Sequence, residues 1–182
     1  QDPTNSDVYD DLSQVYWTTI TVPTGAARLV AEVVASEAPD VDLFVGTGDT
    51  PSEDTEVCSS ASGVWLEYCN LDYPERGTYW VVVQNWWGST DQPDAIRAIT
   101  ALVLGDDVGN LTVTGPESVP SMDVYELDVN WDEPGLLPGD FWYAQFTVGT
   151  ERFEAGNLGY VNVDLEYFIE PIVTVLPLIF KN

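Results

Sequence analysis

The sequence predicts an all-β protein built from two antiparallel β-sandwich domains. Three observations carry this. Short runs of β-branched, aliphatic and aromatic residues alternate with polar ones and end at Pro, Gly and Asp turns, the pattern of half-buried strands. No window of helical length sustains a 3.6-residue apolar period. Turn residues and charge coincide at Gly105-Asp106-Asp107-Val108-Gly109, after a complete strand set. That places a boundary between residues 1–105, a sandwich with an acidic N-terminal lead, and residues 106–182, a small sandwich expected to lean on the first domain or on the tail.

The first domain reads as follows. Residues 15–22 are β-branched and aromatic and stop at Pro23-Thr24-Gly25, a turn. Residues 27–35 supply a second strand. Val41, Leu43 and Val45 alternate with Asp40, Asp42 and Phe44, so one face is aliphatic and the other mixed. Gly46 to Pro51 is a turn, and an acidic loop through Glu56 leads to Cys58. Val64, Leu66 and Tyr68 alternate before Cys69, which predicts a strand there. Residues 78–84 and 96–104 complete the set. The sum is an antiparallel sandwich of about eight strands.

The second domain reads as strands at 110–114, 122–131, 141–148 and 160–168. Pro134–Gly139 and Glu154–Gly159 are the turns between them. At roughly 65 residues before the tail, such a unit is near the lower limit for a self-sufficient core. The apolar segment from Ile172 to Phe180 is therefore expected to supply a final strand, at an edge or broken at Pro177, which lacks a ladder donor. The other reading is a strand given to a second copy, so that the chain self-assembles through Ile172 to Phe180.

Composition excludes several functions. The chain carries 31 acidic residues against five basic ones and no histidine. A surface of this sign repels phosphate backbones and anionic membranes, so nucleic acid is excluded as a partner. It attracts Ca²⁺ and basic partners, although a soluble extracellular surface, adapted to salt, is the main reason expected for the charge. Without histidine there is no Ser-His-Asp or Cys-His group and no His-built zinc site. No apolar run reaches membrane-spanning length. No signal peptide is visible at Gln1, so a mature product or a fragment of a longer precursor is expected. Cys58 and Cys69 flank a polar loop, and an even count in this composition reads as one disulfide, against two free buried thiols.

Two groups of residues are candidate sites. Asp7, Asp10 and Asp11 precede the first strand, and Asp40 and Asp42 project from one side of the third. Carboxylates beside a loop are suited to Ca²⁺, which takes six to eight oxygens, and the competing role is capping turns and solvating strand ends. EF-hand spacing is absent. Trp86-Trp87, before Gly88-Ser89-Thr90, sits at a strand end. Exposed tryptophans stack on sugars or pack on polypeptides; buried ones would plug the end of the sandwich. No nucleophile has an identifiable base partner, and carboxylate pairs arise by chance in a chain this acidic, so catalysis is not expected.

The order Asp40-Val41-Asp42-Leu43-Phe44-Val45-Gly46, Cys58, Cys69 and Pro74-Glu75-Arg76-Gly77-Thr78-Tyr79 resembles the bacterial pre-peptidase C-terminal domain, over roughly residues 12–105. The resemblance implies a small, jelly-roll-like, non-catalytic sandwich appended to a secreted bacterial protease. In a collagen-binding branch of that fold an acidic N-terminal linker binds calcium, and Asp7, Asp10 and Asp11 hold a comparable place. Further on, Asn130-Trp131, Leu136-x-Pro138-Gly139-Asp140, Trp142-Tyr143-Ala144 and Gly159-x-Val161-x-Val163 resemble the short immunoglobulin-like module that follows some subtilisin-like protease domains. The expectation is a secreted, extracellular or cell-surface accessory region whose partner is the protease domain of its own precursor or an extracellular polymer. The rivals are a surface or filament subunit joined through its tail, and a carbohydrate-binding module using Trp86 and Trp87.

Overall fold

Strands form where the β-branched and aromatic runs lie. A computed structural model describes residues 1–168, Gln92, Ser121, Arg152 and Ala155 excepted. Its first seven strands are β1 (Tyr16–Val22), β2 (Ala26–Ser36), β3 (Asp40–Thr47), β4 (Glu56–Ser60), β5 (Tyr68–Asp72), β6 (Gly77–Trp87) and β7 (Ile96–Leu104). They make one sheet in the order β1-β6-β3-β4 and another in the order β5-β2-β7, all pairs antiparallel. The chain changes sheet at nearly every connection, as sandwiches do. Only β3 and β4 are consecutive neighbours, joined through a single 3₁₀ turn, Glu53–Thr55, that Ser52 caps. The all-β reading holds.

The core follows from the alternation. Val41, Leu43 and Val45 of β3 and Tyr79, Val81 and Val83 of β6 meet Leu29, Ala31 and Val33 of β2 between the sheets. The opposite faces of β3 and β6 carry Phe44, Trp80 and Val82, and Trp80 and Val82 are fully buried as well. A strand buried on both faces reads as a near-continuous apolar run, which is what Tyr79 to Val83 is.

Cys58 of β4 and Cys69 of β5 form a disulfide, with Cα atoms 6.0 Å apart. It joins an edge strand of one sheet to an edge strand of the other. Around it the strand expectations need correction. Glu56–Ser60, expected as a loop, is β4, and its polarity is that of an edge strand with one residue, Cys58, turned to the core. The strand expected over Val64, Leu66 and Tyr68 starts instead at Tyr68; Val64, in a bend, and Leu66, just after it, are exposed. There the alternation that matters is Cys69 and Leu71, which pack on the core.

The remaining strands are β8 (Leu111–Thr114), β9 (Asp128–Trp131), β10 (Phe141–Val148) and β11 (Gly159–Glu166). β8 pairs with β9, Leu111 opposite Trp131, and β10 with β11. The long strand expected over 122–131 contracts to Asp128–Trp131: Met122 and Val124 are each 98% exposed and Met122 sits at φ 71°, so neither is in a sheet. The described residues divide into two compact units, Gln1–Asp107 with Gln145–Asn162, and Val108–Ala144 with residues 163–168. The strand expected from Ile172 to Phe180 lies outside the described residues.

Candidate functional site

The N-terminal fifteen residues are a strap over the outer face of the β1-β6-β3-β4 sheet. Val8 and Tyr9 pack on Trp80, Val82 and Phe44. The Tyr9 ring meets Phe44 and Trp80 edge-on, with centroids 6.2 and 5.9 Å away. Its hydroxyl donates to Glu56 Oε2 at 2.6 Å; burial, then the Glu56 carboxylate, push its pKa up. Asp2 is the anchor. It is buried, its Oδ2 accepts from Gln84 Nε2 at 2.6 Å, its Oδ1 accepts from Thr4 N at 3.0 Å, and its own N–H donates to Asn85 O. Gln84 Nε2 also reaches Asn5 O.

The lead's other aspartates shape the strap locally. Asp7 Oδ1 accepts from Tyr9 N and Asp11 Oδ1 from Ser13 N, each at 3.0 Å, the bonds of Asx turns. The Ser13 bonds hold the Asp11 carboxyl below its usual range. Asp10 Oδ1 accepts from Thr4 Oγ1. Among the described residues, no three carboxylate or thiol groups gather as a metal-holding set.

Asp40 and Asp42 are different. Asp42 is 8% exposed, lies opposite Gln84, and is separated from Asp40 by a register shift in the β3–β6 ladder. Burial first, then the charges of Asp40 and Glu67, raise its pKa to about 7. Asp40 is raised by burial and by Glu67, and its Oδ1 is sealed from solvent without a hydrogen bond. Glu67, only 1% exposed, is by contrast satisfied: its oxygens accept from Ser60 Oγ and from Ser62 N and Oγ. Glu67 is a site residue that the sequence reading missed. The nearby serines are its sequence signal, since they supply donors for a buried carboxylate.

Trp86 and Trp87 end β6. Their ring centroids lie 6.3 Å apart with a 38° tilt, so consecutive residues that would diverge on a flat strand form one ledge. Trp87 is 60% exposed and opposite Asp40, whereas Trp86 is half-buried. The Trp86 carbonyl accepts from the side chains of Gln1 and Asn5.

The second sheet carries an ionic network. Arg28 is fully buried on β2; its Nε donates to Asn70 Oδ1 and its Nη2 to the Tyr68 hydroxyl, both at 2.7 Å. Asp72, beyond Asn70 on β5, accepts from Tyr160 OH at 2.9 Å, Asn162 Nδ2 at 3.1 Å and Gln145 Nε2 at 3.2 Å. Burial opposes its ionisation, but the bonds from Asn70, Asn162 and Tyr160 and the Arg28 charge outweigh that and hold it low.

These parts define a disulfide-stapled all-β sandwich with one strapped outer face and an aromatic ledge. No protein-family model matches the chain, and no curated protein matches it. Among the described residues no helix is long and apolar enough to cross a membrane.

Proposed function

We propose that this chain is a non-catalytic accessory region of a secreted bacterial protease, serving extracellular binding, secretion or stabilisation of the enzyme. The observation that carries the reading is the Cys58–Cys69 bridge between the edge strands of the two sheets. A sandwich held this way is suited to an oxidising compartment. The residues behind the resemblance support it further: Asp42-Leu43 lies opposite Gln84-Val83, and Gly77-Thr78-Tyr79 opens β6. The test is the reading frame that encodes the chain, followed by recovery of the protein from culture supernatant. A protease domain in the same frame and an oxidised extracellular product are expected. A frame without one, or a reduced intracellular product, defeats the proposal.

A second reading has its own observation, the exposed Trp87 beside Trp86. Such a ledge is suited to stacking on sugar rings. Retention on insoluble glycans that is lost in W86A/W87A would favour it; equal retention of the variant would end it.

A further inference from the structure

From the environment of the β3 carboxylates we infer that Asp40 and Asp42 form a Ca²⁺ site at the end of the strapped face, with Asp42 its principal ligand. The inference is independent of the accessory-module reading. Acidic residues alone would not carry it, since this chain is acidic almost everywhere. Asp42 differs because it is more than nine-tenths buried and, among the described residues, receives no hydrogen bond. Its neighbour Asp40 has an oxygen shut off from both solvent and donors. Buried carboxylates in folded proteins are paired, hydrogen-bonded or metal-bound, because an isolated one is costly.

Among the described residues no cation is seen at Asp40 or Asp42. Every charge that acts on Asp40 or Asp42 is negative. Arg28, the buried cation of this unit, is bonded to Asn70 and Tyr68. Both oxygens of Glu67 are taken by Ser60 and Ser62, so it stands behind the pair as a fixed negative charge rather than as a third ligand. Such a site takes a hard cation. Two carboxylates with backbone carbonyls and water make an ordinary Ca²⁺ shell, whereas Mg²⁺ demands a stricter octahedron. The Asp7, Asp10 and Asp11 oxygens bond within the strap, so they are not the ligands proposed. Calcium at Asp42 would also fasten the strap, because Gln84, opposite Asp42, is the residue that Asp2 and Asn5 hold.

The test uses the whole chain. Thermal unfolding is recorded in chelator, in CaCl₂ and in NaCl of matched ionic strength, for wild type, D42N, D40N and the control D7N/D10N/D11N. A hundredfold excess of Ca²⁺ over its Kd is expected to raise the Tm by roughly 5–10 °C beyond the salt control. D42N and D40N are expected to lose this increment, the triple variant to keep it, and D42N to melt higher than wild type in chelator. Tb³⁺ supplies a second readout. Trp87 lies opposite Asp40, so tryptophan-sensitised Tb³⁺ emission should be displaced by Ca²⁺ and should fall in D42N. Three results would each overturn the inference: no Ca²⁺-specific rise in wild type, an undiminished rise in D42N, or loss of the rise in the triple variant. Stabilisation of wild type by acidification alone, with no response to Ca²⁺, would make the proton the only ligand and overturn it too.

Discussion

Gly46 should be the least replaceable small residue in the first sheet. It lies directly opposite Trp80, and the indole folds over it. A methyl group at Gly46 would sit 2.0 Å from Trp80 Cζ2, 2.3 Å from Cε2 and 2.5 Å from the Thr55 carbonyl oxygen. Contact distances between carbon atoms are about 3.5 Å, so the ring would have to retreat by more than about 1 Å. It has little room to do so. Its Nε1 donates to Thr47 O and to Thr55 Oγ1, both at 3.1 Å, and Tyr9 packs against it. Overpacking costs about 1–3 kcal/mol. Breaking the single indole N–H bond, shared between those two acceptors, adds about 1 kcal/mol. Gly46→Ala should therefore destabilise by about 2–4 kcal/mol, which lowers the urea midpoint by about 1–2 M at an ordinary m-value. Gly77→Ala is the control, since a methyl there meets nothing within 4 Å. It should stay within about 0.5 kcal/mol of wild type. In a Trp80→Leu background, Gly46→Ala should become nearly neutral. Equal urea midpoints for Gly46→Ala and Gly77→Ala would refute the reasoning.

Reducing the Cys58–Cys69 bridge, with its separation of 11 residues, should cost about 3 kcal/mol on the chain-entropy argument; a urea midpoint unmoved by reductant would count against it. Asp2→Ala should remove about 2 kcal/mol, because the variant loses a charged acceptor of the Gln84 and Thr4 bonds. Hydrogen exchange should then quicken in the strap while β6 stays protected, and uniform exchange would show that the strap is not a separate element. In chelator, Asp42 should make stability pH-dependent in an unusual direction. Its folded pKa is raised from 3.8 to about 7, so the folded state holds the proton more tightly. The associated stability is fully present below about 4 and is lost as pH rises through about 7. The advantage of D42N over wild type should grow across that window and level off above it; a gap independent of pH would rule this out.

Much of the fold was legible in the residues. Strands β1, β2, β3, β6 and β7 stand out because each packs apolar side chains on the core, and that packing imposes the period of two. β4 and β5 were harder for a common reason. An edge strand needs only one or two core residues, and in Glu56–Ser60 that residue is a cysteine, so the alternation is too short to register. Val64 and Leu66 misled because spacing reports which residues share a face, not whether that face meets anything. Ahead of β9 the same confusion recurs: Met122 and Val124 look like strand residues and stand in water.

The strapped face shows why the site was only half legible. Asp7, Asp10 and Asp11 attracted attention as an acidic group, yet their oxygens are used within the strap's own turns and contacts. Asp2, the buried anchor, has no local pattern around it, because its partner Gln84 is 82 residues away. The signal was present in the sheet. Tyr79 to Val83 is apolar on both faces, and one sandwich core can cover only one of them. Something else had to cover Trp80 and Val82, and Val8 and Tyr9 were apolar residues with no other place assigned. Once that cover is in position, Asp40 and Asp42 cease to be solvated strand ends. Asp42 lies opposite Gln84, which the strap holds, and the Glu67 charge acts on both aspartates, two long-range features that a period of two does not encode. What makes Asp42 a ligand candidate is therefore the absence, among the described residues, of a donor at the place where the fold buries it, which is a property of the assembled face.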